Sequence, residues 1–314
     1  MPGAVAFLFP GQGAQAAGMG QALAEAFPVA RDTFAEADAA LGFPLSRLCF
    51  EGPEETLRLT EHTQPAILTV SVAATRAFRA AGGPAPAYVA GHSLGEYSAL
   101  VAAGSLEFAD AVRTVRNRGR YMQEAVPVGE GAMAAIIGLD RDGVAAACEE
   151  AAQGQVVVPA NLNAAQQIVI AGHAPAVERA MAAGKARGAR LAKRLPVSAP
   201  FHSPLMQPAQ DRLAPELQAL AFADPDPPLV NNVAAEVITT GDAARAGLIR
   251  QVSAPVRWVE VCDRLIGAGV TTVVELGPGN VLTGLLKRRR DADPRLWNVQ
   301  DPASLDACLK GVTA

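Results

Sequence analysis

The sequence predicts an α/β fold: a mostly parallel sheet with helices on both faces, interrupted by a smaller inserted unit of βαββαβ order. Short apolar, strand-like runs alternate with helical patterns at both ends of the chain, as at Ala4–Phe9, Tyr88–Gly91 and Val270–Leu276. That is the rhythm of parallel strands joined by helical crossovers. From Gly131 to Pro196 the order becomes strand, helix, strand, strand, helix, strand, the ferredoxin-like split pattern. Thirdly, Gly91-His92-Ser93-Leu94-Gly95 stands where a short apolar run meets an Ala-rich helical pattern. Gly-x-Ser-x-Gly at such a junction is a tight strand-to-helix turn that lifts a serine hydroxyl to its tip.

With 314 residues, 50% of them hydrophobic, the chain can bury a large core and hold more than one domain. The expected division is a larger domain from residues 1–127 and 197–314 and a small one from 128–196. A formal net charge of −4 argues against nucleic acid, whose binders carry a basic excess. Cys49, Cys148, Cys262 and Cys308 are scattered without metal-site spacing, as in a reduced cytoplasmic protein. No run is long enough to span a membrane. No basic stretch followed by a long apolar one precedes Ala4, so no secretory leader is expected. No metal or redox cofactor is expected, and a monomer is the default.

Ala4–Phe9 reads as a buried strand running into the tight loop Pro10-Gly11-Gln12-Gly13. This loop lacks both the Gly-Lys-Ser/Thr ending of a phosphate loop and the third glycine of a dinucleotide fingerprint. It is either a plain strand–helix turn or a source of a backbone N–H beside the serine. Helices follow at Gly20–Phe27, Ala30–Leu41 and Pro53–Leu59. Thr63-Gln64-Pro65 opens a long helix to Ala81, with Pro65 near its first position, and Gly82-Gly83-Pro84 stops it. The turn around Ser93 leads into a helix ending near Gly104. An Arg-rich amphipathic helix covers Phe108–Glu124.

In the inserted unit, strands are expected at Ala132–Gly138, Val156–Pro159, Gln167–Ala171 and Arg190–Pro196. Its helices are expected at Asp140–Ala152, with Asp140 as N-cap, and Pro175–Arg187. Afterwards come a helix at Pro204–Leu220, a strand at Pro228–Asn231, helices at Asp242–Val252 and Trp258–Gly267, the strand Val270–Leu276, and a helix at Val281–Arg288. Two basic groups stand out: Lys287-Arg288-Arg289-Arg290, and Lys185, Arg187, Arg190, Lys193 and Arg194. They are solvated cationic surface or docking contacts for an acidic partner.

A serine nucleophile needs a base, because its hydroxyl is weak at neutral pH. There are four histidines. His92 leaves the turn on another side, while His62 and His173 sit at helix starts. His202 remains, in the Pro-bounded loop Ser198–Pro204. Ser93 and Glu96 also fit a capping box, Ser-x-x-Glu, which would make Glu96 structural. Asp140, Asp142, Glu149, Glu150 and Glu178 lie between serine and base but read as caps or exposed faces. The group that orients the base is therefore open, between an acid and a backbone carbonyl. By residue type alone, Arg118 reads as a surface arginine.

Five motifs stand in order: Phe9-Pro10-Gly11-Gln12-Gly13, Thr63-Gln64-Pro65-Ala66, Gly91-His92-Ser93-Leu94-Gly95-Glu96-Tyr97-Ser98-Ala99, Arg118-Gly119-Arg120-Tyr121-Met122-Gln123 and Glu275-Leu276-Gly277-Pro278-Gly279. Together they resemble the malonyl-CoA:acyl carrier protein transacylase family, over nearly the whole chain. The resemblance implies an α/β-hydrolase-like domain carrying a ferredoxin-like insertion. It implies Ser93 as the acylated nucleophile and His202 as its base, with the backbone N–H groups of Gln12 and Leu94 as oxyanion hole. Arg118 would bind the malonyl carboxylate, a planar guanidinium matching it with paired charge-assisted bonds. Gln251 would lie near a backbone carbonyl that orients the histidine. Gln64, Asn161 and Asn163 would edge the pocket. Phe201 and Met122 would border the acyl group, a ring at Phe201 crowding an α-methyl branch, where one methyl is worth only about 1–3 kcal/mol.

The implied partners are malonyl-CoA and an acidic, phosphopantetheinylated acyl carrier protein. Three rivals remain: a loading enzyme for polyketide synthesis, a serine thioesterase or other hydrolase, and a catalytically silent carrier-binding module.

Overall fold

The structure is a computed structural model describing residues 3–197, 199–289 and 291–312. Ser198 and Arg290, named above, lie outside the described residues.

Strand β1 (Ala4–Phe9) is followed by helices α1 (Gln21–Ala26), α2 (Pro28–Leu41), α3 (Leu45–Glu51), α4 (Glu54–Leu57) and the long α5 (Thr60–Ala80). Next come β2 (Tyr88–Gly91), α6 (Gly95–Ala102) and α7 (Phe108–Glu124). The inserted unit comprises β3 (Gly131–Ile137), α8 (Arg141–Ala152), β4 (Val157–Ala164), β5 (Gln167–His173), α9 (Ala174–Ala186) and β6 (Leu191–Arg194). The chain then returns through α10 (Gln207–Ala219), β7 (Leu229–Val230), β8 (Val237–Ile238), α11 (Gly241–Gln251) and α12 (Trp258–Gly267). It closes with β9 (Val270–Leu276), α13 (Val281–Leu286), β10 (Arg295–Val299) and α14 (Pro302–Val312).

The larger sheet has the order β10-β9-β1-β2-β7-β8 and is parallel except for the β7–β8 pair. Its two faces are read off alternate residues of β1. Phe7 and Phe9 enter the core made with α2, α5 and α6, whereas Ala6 and Leu8 face Trp258, Val261 and Leu265 of α12 and Leu282 of α13. Side chains of period two on a strand buried from both sides produce this split.

The inserted unit forms a separate antiparallel sheet of order β4-β5-β3-β6. Its core contains Ile136, Val144, Ile168, Ile170, Val177 and Ala180. Asp140 caps α8 as expected, its carboxylate accepting from the Gly143 N–H at 2.9 Å. β4 is longer than its expected range and carries Asn161 within the strand. There the unit is tied to the larger one, since Leu162 N donates to Val256 O and Val256 N donates to Ala160 O.

Two expectations are corrected. The long helix starts at Thr60, one turn before Thr63, so Pro65 lies inside it. An extended Leu59 ends the preceding segment, and its carbonyl accepts from both His62 and Thr63. The helix thus nucleates upstream and tolerates one missing N–H. Pro204–Leu220 is not one helix: a 3-10 turn at Pro204–Met206 precedes α10. The strands β8 and β10 and the helices α3 and α14 have no counterpart in the expected pattern; β8 is two residues long and β10 carries polar residues.

Candidate active site

The turn after β2 is built as its glycines require. A Cβ on Gly91 would stand 1.9 Å from the Gly95 carbonyl, and one on Gly95 would stand 2.2 Å from Phe9 O. Ser93 itself has φ 53°, a left-handed conformation that costs a non-glycine residue energy. Asn232, just past β7, holds it there. Its side-chain oxygen accepts from Ser93 N at 2.7 Å, and its side-chain nitrogen donates to Gly91 O at 2.7 Å.

Ser93 Oγ lies 2.7 Å from His202 Nε2. His202 also has positive φ, 59°, and is buried. Its Nδ1–H points at two backbone carbonyls, Gln251 O at 3.0 Å and Ala254 O at 3.2 Å. The imidazole is therefore oriented by carbonyls at and just past the end of α11, not by an acid. This tautomer leaves Nε2 as the acceptor for the serine proton. Burial, then the nearby Arg118 charge, pushes the His202 pKa down to about 3.

Arg118 is not a surface residue. Its α7 position is brought against α5 by Gly119, where a Cβ would stand 2.5 Å from Thr60 O. The guanidinium is only 2% exposed. Nη1 donates to Gln64 Oε1 at 2.7 Å; Nη2 donates to Gln251 Oε1 at 2.9 Å and to Ser93 Oγ at 3.0 Å. Nε has no partner. Among the described residues no carboxylate lies within ion-pair distance of Arg118. A buried cation held only by neutral acceptors is costly and is primed for an anionic ligand.

Glu96 corrects the capping-box expectation. Ser93 N is taken by Asn232, and Glu96 turns inward, fully buried. Its Oε2 accepts from Asn232 N at 2.9 Å and Gln251 Nε2 at 3.0 Å. Burial raises its pKa to about 7 against these opposing bonds.

A cavity of about 690 Å³ opens onto Ser93, His202 and Arg118. Gln12, Gln64, Met122 and Phe201 line it from the larger unit; Met133, Val169, Asn161 and Asn163 line it from the inserted sheet. Asn163 Oδ1 bonds His92 Nε2 at 2.9 Å, which keeps that imidazole away from the serine. Gln12 approaches the turn through Gly11, where a Cβ would stand 2.6 Å from His92 O. Gln251 and Leu94 are buried behind the cavity wall. All the expected site residues thus gather around one cavity. Asn232 and the inward role of Glu96 were not anticipated; an Asn pair directly after a short strand is the one local signal for the former. No cluster of His, Cys, Asp and Glu able to hold a metal occurs among the described residues.

The arrangement sets a serine hydroxyl 2.7 Å from an imidazole nitrogen and 3.0 Å from a guanidinium, groups that can serve acyl transfer from an anionic acyl donor. The family model described as acyl transferase domain matches residues 6–297. The malonyl CoA-acyl carrier protein transacylase of Escherichia coli (strain K12) is 57% identical over 305 residues, covering 97% of this chain and 98% of that protein. The structure of the malonyl CoA-acyl carrier protein transacylase from Coxiella burnetii is 47% identical, with a TM-score of 0.97 over 100% of this chain and 99% of that one. A malonyl-transacylase solved in complex with a type II PKS acyl-carrier protein is 50% identical, with a TM-score of 0.95 over 98% of this chain and 99% of that one.

Proposed function

The chain belongs to the acyl transferase family and, within it, to the malonyl CoA-acyl carrier protein transacylases; on that premise we propose that it carries a malonyl group from malonyl-CoA to the phosphopantetheine thiol of acyl carrier protein, by way of a malonyl ester on Ser93, for fatty acid biosynthesis. The observation that carries this reading is the buried, carboxylate-free Arg118 guanidinium 3.0 Å from Ser93 Oγ. A thioesterase acting on neutral acyl groups has no use for it.

In the first half-reaction Ser93 Oγ attacks the thioester carbonyl as His202 Nε2 takes its proton. The imidazolium so formed is held by Gln251 O and Ala254 O. The oxyanion is received by the N–H groups of Gln12 and Leu94, neither of which donates to a protein acceptor among the described residues. Collapse breaks the C–S bond, and the departing thiolate of CoA takes the proton back from His202. In the second half the carrier thiol gives its proton to His202 and its sulfur attacks the ester, and Ser93 Oγ leaves and regains the proton. Arg118 pairs with the malonyl carboxylate throughout, with Gln64 and Gln251 fixing the guanidinium. Phe201 and Met122 border the acyl group. Asn161 and Asn163 form the wall contributed by the inserted unit. No step calls for a metal or redox cofactor.

We read residues 1–127 and 197–314 as an α/β-hydrolase-like domain and 128–196 as a ferredoxin-like one. The enzyme is proposed to act in the cytoplasm as a monomer, on carrier protein and not on nucleic acid or membrane. The likeness to a transacylase bound to a type II PKS carrier favours one further reading, malonyl loading of a polyketide carrier by the same chemistry.

Initial rates with malonyl-CoA and carrier protein varied together test the proposal. Parallel double-reciprocal lines, with little free malonate, are expected. Intersecting lines, or malonate release without carrier at the transfer rate, would contradict it. Comparing fatty acid and polyketide carriers as acceptors separates the two loading roles.

A further inference from the structure

Glu96 is a fully buried carboxylate that no step above uses. Among the described residues both of its hydrogen bonds fall on Oε2, from Asn232 N and Gln251 Nε2, and Oε1 has no partner. Gln251 Nε2 donates also to Ser93 O at 3.0 Å. The far side of the same amide, Oε1, accepts from Arg118 Nη2. A primary amide has two orientations, differing in which end donates. Here three acceptors, Glu96 Oε2, Ser93 O and, at 3.5 Å, Asn232 Oδ1, face one end, and a guanidinium that can only donate faces the other. Turning the amide over would set its NH₂ against the guanidinium and its oxygen against three oxygens.

We propose that Glu96 is a positioning residue for substrate selection: by fixing the Gln251 amide it presents Gln251 Oε1 to Arg118 and holds the guanidinium aimed at the nucleophile, ready for the carboxylate of the acyl group. This rests on the reading of Arg118 as the carboxylate clamp. The placement has a second consequence. A carboxylate in direct contact with Arg118 would occupy the hydrogens a substrate needs. Held one side chain away, Glu96 polarises the chain of hydrogen bonds toward Arg118 while its own oxygens stay off the guanidinium. Gly247 leaves room on the other side, since a Cβ there would stand 3.9 Å from Glu96 Oε1.

The test compares acylation of Ser93 by malonyl-CoA and by acetyl-CoA, whose acyl group has no carboxylate. Removing the acceptor that fixes a buried amide costs roughly tenfold. Glu96→Ala is therefore expected to lower the malonyl-to-acetyl ratio of kcat/KM by about tenfold, with the loss on the malonyl side. Because Glu96 acts through Gln251, adding Glu96→Ala to Gln251→Ala should lower the ratio no further. Glu96→Gln, whose side-chain oxygen can accept the same two bonds, should recover most of the ratio and guards against a fold lost in the alanine variant. An equal fall for both donors in Glu96→Ala, an additive double variant, or a Glu96→Gln ratio as low as that of Glu96→Ala would overturn the proposal. A wild type that is not acylated by malonyl-CoA would instead remove the reading beneath it.

Discussion

Arg118 has the environment most informative about the substrate, and two predictions belong at its scale. Replacing it with alanine removes the cation that donates to Ser93 Oγ, so acylation by malonyl-CoA should fall by about 100-fold. Arg118→Lys should restore little, because an ammonium cannot reproduce the planar fork. Stopped-flow or quenched acylation rates check both. The second prediction concerns pH. His202 is pushed down to about 3, first by burial and then by Arg118, so the free enzyme keeps a neutral base well below pH 6.5. The acid limb of kcat/KM should lie below that value and move up in Arg118→Ala. For stability the sign runs the other way between two neighbours. His202 binds fewer protons folded than unfolded, so its contribution is lost as pH falls from 6.5 toward 3. Glu96, raised to about 7 by burial, binds more protons folded, so its contribution is lost as pH rises from about 4.5 to 7. Urea unfolding of Glu96→Gln beside wild type should show the variant gaining relative stability over that second window.

At the scale of elements, the strand-to-helix turn is the most demanding piece. Gly91→Ala would force a Cβ to 1.9 Å from Gly95 backbone and should destabilise by more than about 3 kcal/mol or prevent folding, as thermal denaturation would reveal. Asn232→Ala should leave the fold but lower kcat, since Ser93 N and Gly91 O lose their clamp. The turn itself was legible because its chemistry is local: two glycines, a serine and a following helix within five residues. Asn232 was not, because its two bonds reach 139 and 141 residues back along the chain. Glu96 misled for the same reason. Its spacing from Ser93 fits a local cap, but Asn232 satisfies Ser93 N from a distance and leaves the carboxylate to turn inward. Arg118 reads as exposed from an Arg-rich helix; only the close approach at Gly119 buries it, and only the family resemblance pointed to it beforehand. The carbonyls that orient His202 carry no side-chain signature, so the third member could be narrowed but not chosen.

Across the whole molecule, the cavity at Ser93 is lined by residues of both the larger unit and the inserted sheet, so neither unit alone forms it. Alternation of strands and helices made both units legible, with the outlying β8 and β10 escaping because they are short or polar. The two basic groups are not equivalent. Arg187 and Arg194 are paired with Glu150 and Glu178, and Arg289 with Asp263 and Asp291. Arg288 donates to Gln167, a residue lining the cavity. An acidic carrier delivering its thiol into that cavity would meet Lys287 and Arg288. The double reversal Lys287→Glu/Arg288→Glu should raise the carrier KM severalfold at low salt and less at high salt; an unchanged KM would move the docking face elsewhere.

In the proposed reaction Ser93 takes the malonyl group while Arg118 holds its carboxylate. Intact-protein mass spectrometry after brief mixing with malonyl-CoA tests it most directly. One malonyl group is expected on the wild type, none on Ser93→Ala and a much weaker adduct on Arg118→Ala. An adduct that persists in Ser93→Ala, or one that forms equally well in Arg118→Ala, would contradict it.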